Sequence, residues 1–142
     1  MTSSQSRDAL PDTGTDLARR TALGVGVAAV AVVIAQAAVT ALGLDVGAAG
    51  RMSPFSAGAL VGSTVAAGVG AAVVYAGLIR FTARPVRNFL VAAGVVFALQ
   101  LLPVAVLAPS LGVTPVGQAV LVFHHVVVAV PIVAALLGIG SR

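Results

Sequence analysis

Two adjacent histidines, His124 and His125, lie inside the apolar run VLVFHHVVVAVP at residues 120–131. An imidazole can donate and accept hydrogen bonds, relay a proton or ligate a metal, and it is costly to place in hydrocarbon. Similar residues punctuate the rest of the chain, with Gln36, Ser63, Thr64 and Gln100 each set in an apolar block. This set could join helices by hydrogen bonds, contact a ligand or carry protons. The elements that hold it decide which.

The chain of 142 residues is 59% hydrophobic and only 8% charged, whereas soluble domains carry about 25% charged residues, so its main solvent is lipid. Its apolar residues fall in four blocks, each of which at 1.5 Å per residue can cross roughly 30 Å of hydrocarbon. The expected fold is an all-α integral membrane bundle of four transmembrane helices over about residues 21–42, 55–79, 86–107 and 116–139. Asp16 or Thr15 is the expected N-cap of the first. Ser53-Pro54, Arg84-Pro85 and Thr114-Pro115 introduce the other three, each placing proline at the first helical position. Pro109 and Gly112 mark the turn between the last two. Residues 1–16 are polar and broken by Pro11 and Gly14, so they read as a disordered N-terminal tail, with residues 17–142 as the transmembrane domain.

All eight basic residues are arginines, against four aspartates, and cysteine is absent, which excludes disulfides and thiolate metal sites. Arg19 and Arg20 precede the first span, Arg80, Arg84 and Arg87 lie between the second and third, and Arg142 ends the chain. Such flanking arginines are topology signals, and no basic patch with interleaved aromatics remains for nucleic acid. The opposite loops carry only Asp45 and Arg51. Both termini are therefore expected on the cytoplasmic side of the cytoplasmic (inner) membrane.

Counting from the non-cytoplasmic end of each span places Gln36, Ser63, Thr64, Gln100, His124 and His125 at one depth, roughly 9 to 14 Å below the boundary. Side chains at one depth can form a polar layer bonded across helices. The two histidines diverge by about 100° on a helix, so one faces that layer and the other a tight contact. His125 shares its face with Gln118, and His124 with Gly117, Pro131 and Gly138. In the second span Gly58, Gly62, Ala66 and Gly70 form a stripe of small residues suited to helix packing, within the chain or between copies.

These features favour a non-enzymatic accessory or interaction component whose polar layer is structural, with no cofactor. Its expected partners are the lipid bilayer and a second copy or another membrane protein. A small dimeric transporter using intramembrane histidine is the alternative, although all four aspartates lie in the tail or a loop. A haem-binding anchor would need an axial ligand on each side of the haem, while both histidines stand on one helix. An intramembrane serine hydrolase built on Ser63 has no nucleophile context.

The stretches RMSPFSAGALVGSTVAAGVGAAVVYAGLIRFTARP and VLVFHHVVVAVPIVAALL resemble bacterial four-span integral membrane proteins grouped as a domain of unknown function. The resemblance covers about residues 20–140, and its most specific feature is a histidine in the last span, to which His125 is the closer match. It implies the four-span architecture and carries no activity.

Overall fold

Hydrocarbon offers no partner to an exposed peptide group, so a chain this apolar satisfies its backbone inside helices. The computed structural model describes residues 10–139. It comprises α1 (Gly14–Ala41), α2 (Ala57–Phe81), α3 (Pro85–Val106) and α4 (Pro115–Leu136). The shortest have 22 residues, about 33 Å of helix, and all four are long and apolar enough to cross a membrane. A single 3-10 turn, Pro109–Leu111, links α3 to α4. The chain is a multi-pass, all-α membrane protein.

The helix starts show where local chemistry overrides apolar patterning. Helix α1 begins before its apolar block because Thr13, in extended conformation, accepts a hydrogen bond from the Asp16 amide at 3.1 Å. Neither Asp16 nor Thr15 is the cap, and Gly14 opens the helix, so residues 14–16 of the expected tail are helical. Residues 1–9, and Arg142 at the other terminus, lie outside the described residues. Ser53 does not cap α2 either. Its hydroxyl donates to the Ala48 carbonyl at 2.7 Å and accepts from the Phe55 amide at 3.2 Å, and Ser56 caps the helix by accepting from the Ala59 amide at 3.3 Å. Helices α3 and α4 do start at Pro85 and Pro115. Helix α4 ends at Leu136, before the expected residue 139, and Gly138 takes the left-handed conformation (φ +69°) that follows such an end.

Lipid tails are as apolar as leucine, so helices associate where backbones can approach. The most extensive seam joins α1 to α4. A Cβ on Gly24 of α1 would stand 2.9 Å from the Ala135 Cβ and 3.2 Å from the Ile132 Cα, closer than the packing tolerates. Gly68 of α2 admits Val25 of α1, and Gly117 of α4 admits the Val46 carbonyl, in the same way. Helix α3 completes the ring by packing on α2 and α4.

Two apolar cores close the ends of the bundle. Val39, Phe55, Val104, Ala108, Val113, Val120 and Leu121 form one beneath the 42–56 and 107–114 loops. Those loops are joined by Ala48 N–H to Gly112 O (3.1 Å), Thr114 N–H to Val46 O (3.2 Å) and the Thr114 hydroxyl to Asp45 O (2.6 Å). The other core, at the arginine-rich end, contains Ala28, Tyr75, Phe89, Ile132, Leu136 and Leu137.

Arg20 does more than flank a span. Its Nε pairs with Asp16 Oδ2 at 3.0 Å, and its Nη1 donates to the Leu136 carbonyl at 3.4 Å, setting a cation against the C-terminus of α4. Arg19 lies outward, with 71% of its side chain exposed, and Arg80, Arg84 and Arg87 are also exposed. Arg20→Ala is expected to lower stability by about 1 kcal/mol, and Arg19→Ala to leave it unchanged, as read by thermal unfolding in mild detergent.

Candidate functional site

The residues at mid-depth sit between the two cores. Helix α3 meets α2 where the Tyr75 and Phe89 rings lie 4.8 Å apart. It meets α4 at the other end, where Gln118 Nε2 donates to the Val104 carbonyl at 2.8 Å. Between these contacts α2, α3 and α4 surround a cavity of about 920 Å3, to which α1 adds Val32. Ser63, Thr64, Gln100, His124 and His125 all line it, in an otherwise apolar wall. Among the lining residues, Ser63, Ala66 and Gly70 of α2 and Val96 and Gln100 of α3 are exposed. Ala59, Pro103, Leu107 and Leu111 of the lining are exposed as well, so the mouth opens along the side of the bundle between α2 and α3 and extends to the end of α3 at the 107–114 loop.

The expected bonding between helices is replaced by bonding within them. The Ser63 and Thr64 hydroxyls both donate to the Leu60 carbonyl, at 3.1 and 2.7 Å. His125 Nδ1 lies 2.7 Å from the Leu121 carbonyl. A hydroxyl one turn from a carbonyl of its own helix needs no second helix to satisfy it. Such a bond also commits the Ser63 proton to a carbonyl instead of to a base, which a nucleophilic serine requires.

His124 is the buried histidine, 3% exposed, with its ring 6.4 Å from that of Phe55 and 6.3 Å from that of Phe123. Among the described residues neither of its nitrogens has a hydrogen-bond partner, and the Gln36 Oε1 is likewise buried without one. Counted along the antiparallel helices from the Gly24–Ala135 contact, Gln36 of α1 is level with Phe123 and His124 of α4, and Gln36 does not line the cavity. The polar residues thus divide: His124 and His125 with Ser63, Thr64 and Gln100 line the cavity, and Gln36 does not. Among the described residues no group of three or more His, Cys, Asp or Glu could hold a metal ion.

The small-residue stripe does not pack within the chain, and its exposure leaves it free for contact between copies. A Cβ at Gly58, Gly62 or Gly70 would meet nothing within 4 Å, and Gly58, Gly62, Ala66 and Gly70 are all exposed. The face of α2 that packs within the chain bears Leu60, Thr64, Gly68 and Tyr75. A helix apolar all round has no strong face for periodicity to reveal.

Gln118 is the residue whose role sequence reasoning missed, because its partner is a backbone carbonyl left over where α3 ends. The Ala108 amide bonds to Pro103 O at 3.0 Å as α3 ends, leaving the Val104 carbonyl to the Gln118 amide. Gln118→Leu is therefore expected to cost about 0.6 kcal/mol. His124→Leu, which removes two unpartnered nitrogens, is expected to leave stability unchanged or raise it by up to about 1 kcal/mol. Reversible unfolding of the two variants in mixed detergent micelles compares them directly.

Fold and cavity together define a four-span, all-helical membrane protein with a lateral cavity at mid-depth. The chain belongs to a family of unknown function (DUF6069), whose profile matches residues 12–142. No curated protein and no solved structure matches it.

Proposed function

We propose that this is a non-enzymatic protein of the cytoplasmic membrane, with both termini on the cytoplasmic side, that holds a membrane-dissolved amphiphile in the cavity between α2, α3 and α4. The observation that carries this reading is the cavity itself. Its volume of about 920 Å3 falls within the roughly 300–1,000 Å3 of small-molecule sites. Its wall is mostly apolar with a few convergent polar groups, which suits a molecule with a long chain and a compact head. Its mouth faces hydrocarbon, so a ligand already dissolved in the bilayer enters without crossing water.

Orientation rests on the arginines. Arg19, Arg80, Arg84 and Arg87 are exposed at one end of the bundle, while the opposite loops carry Arg51 and Asp45. Positive charge is retained on the cytoplasmic side of short loops. The chain lacks cysteine, and Met52 is 99% exposed, so single-cysteine variants give a clean readout. A membrane-impermeant maleimide is expected to label Met52→Cys in intact cells and Ala83→Cys only after lysis; the reverse pattern would invert the topology.

For the cavity, native mass spectrometry of the protein released from mild detergent is expected to show an adduct of lipid mass. Ala93→Phe, which places a ring in the cavity wall, should lose that adduct while keeping its unfolding temperature. Equal adducts on both proteins, or none on either, would remove the proposal's support.

A further inference from the structure

The hydrogen-bonding sense of the cavity wall narrows the ligand. Ser63 and Thr64 each own one hydroxyl proton, and both protons are given to the Leu60 carbonyl. What these oxygens still offer the cavity is lone pairs. A carbonyl can only accept, so the 2.7 Å contact of His125 Nδ1 with Leu121 O makes Nδ1 the donor. In a neutral imidazole the other nitrogen, Nε2, is then an acceptor. Unlike both nitrogens of His124, it is not an enclosed atom without a partner. His124 also carries a ring N–H, but both of its nitrogens are enclosed, so the side-chain donors open to the cavity are those of the Gln100 amide.

We infer that the cavity selects an amphiphile whose head donates hydrogen bonds without carrying charge: a neutral lipid alcohol. This rests on the reading of the cavity as a ligand site. Among the described residues no arginine lines the cavity, so a carboxylate or phosphate head would meet oxygen and nitrogen lone pairs with no cation to balance it. Among the same residues no aspartate lines it either, so an ammonium head would be desolvated with no counter-charge. An ester, ether or ketone head offers only acceptors to a wall that is already rich in them. A hydroxyl supplies the missing proton and can take one from Gln100.

The test uses the full chain in nanodiscs of zwitterionic phospholipid and four probes on one hydrocarbon chain: a long-chain primary alcohol, its methyl ether, the carboxylate and the primary amine. Binding is read by native mass spectrometry, with Ala93→Phe as the control for cavity occupancy. The alcohol is expected to bind about tenfold more tightly than the ether, the equivalent of one hydrogen bond. The carboxylate and amine should bind more weakly than the alcohol. His125→Phe and Thr64→Val should each shrink the difference between alcohol and ether while leaving ether binding in place. Because the comparison among probes is made on the unaltered protein, it stands even if a variant fails to fold. Equal binding of alcohol and ether, or tightest binding of the carboxylate or amine, would overturn the inference and leave the cavity as a ligand site. Failure of every probe to bind in a manner sensitive to Ala93→Phe would overturn the ligand site with it.

Discussion

A hydroxyl or imidazole that finds no partner in its own chain has no water to turn to at mid-membrane, and this constraint shapes the interior of the bundle. Ser63, Thr64 and His125 meet it by bonding to Leu60 and Leu121, carbonyls of their own helices. The solution frees the helices from one another. No bond between side chains has to pull α2, α3 and α4 together at this depth, so they can stand apart around an open space.

The space persists because the chain is held together elsewhere. Gly24 lets α1 and α4 approach along their length, and the loop hydrogen bonds from Ala48, Thr114 and their partners fix one end. Arg20 anchors the C-terminus of α4 at the other end. Helix α3 is tied at both ends, by Phe89 against Tyr75 and by Gln118 to Val104, with the cavity between these ties. Closing it would require bending α3 inward between two fixed contacts. Only Phe89 and Val104 of α3 are buried, which is what a helix spanning such a gap should show.

The number, order and type of the helices are legible in the sequence, because length and lack of charge are nearly sufficient to specify a membrane span. Depth is legible as well, since a fixed rise per residue turns counting into distance, and five of the six residues placed at one level line one cavity. The bonding partners are not legible, because they are backbone carbonyls, which side-chain patterns do not display. The true start of α1 was hidden by Gly14, which reads as a breaker when the Thr13 cap is overlooked. Gly68 was missed in favour of Gly58, Gly62 and Gly70 because α2 is apolar on every side, and its inward face follows from the neighbouring helices instead of from its own periodicity.

The proposed site is open to lipid and specific in its chemistry. The direct measurement is photocrosslinking in the membrane with a lipid alcohol bearing a diazirine midway along its chain, followed by peptide mapping. The account predicts adducts concentrated on α2 around Ala66 to Val74 and on α3 around Ala92 to Pro103, displaced by excess unlabelled alcohol. Adducts spread evenly over exposed lipid-facing residues such as Leu23, Val27, Val30 and Ile34 of α1, and not displaced, would contradict it.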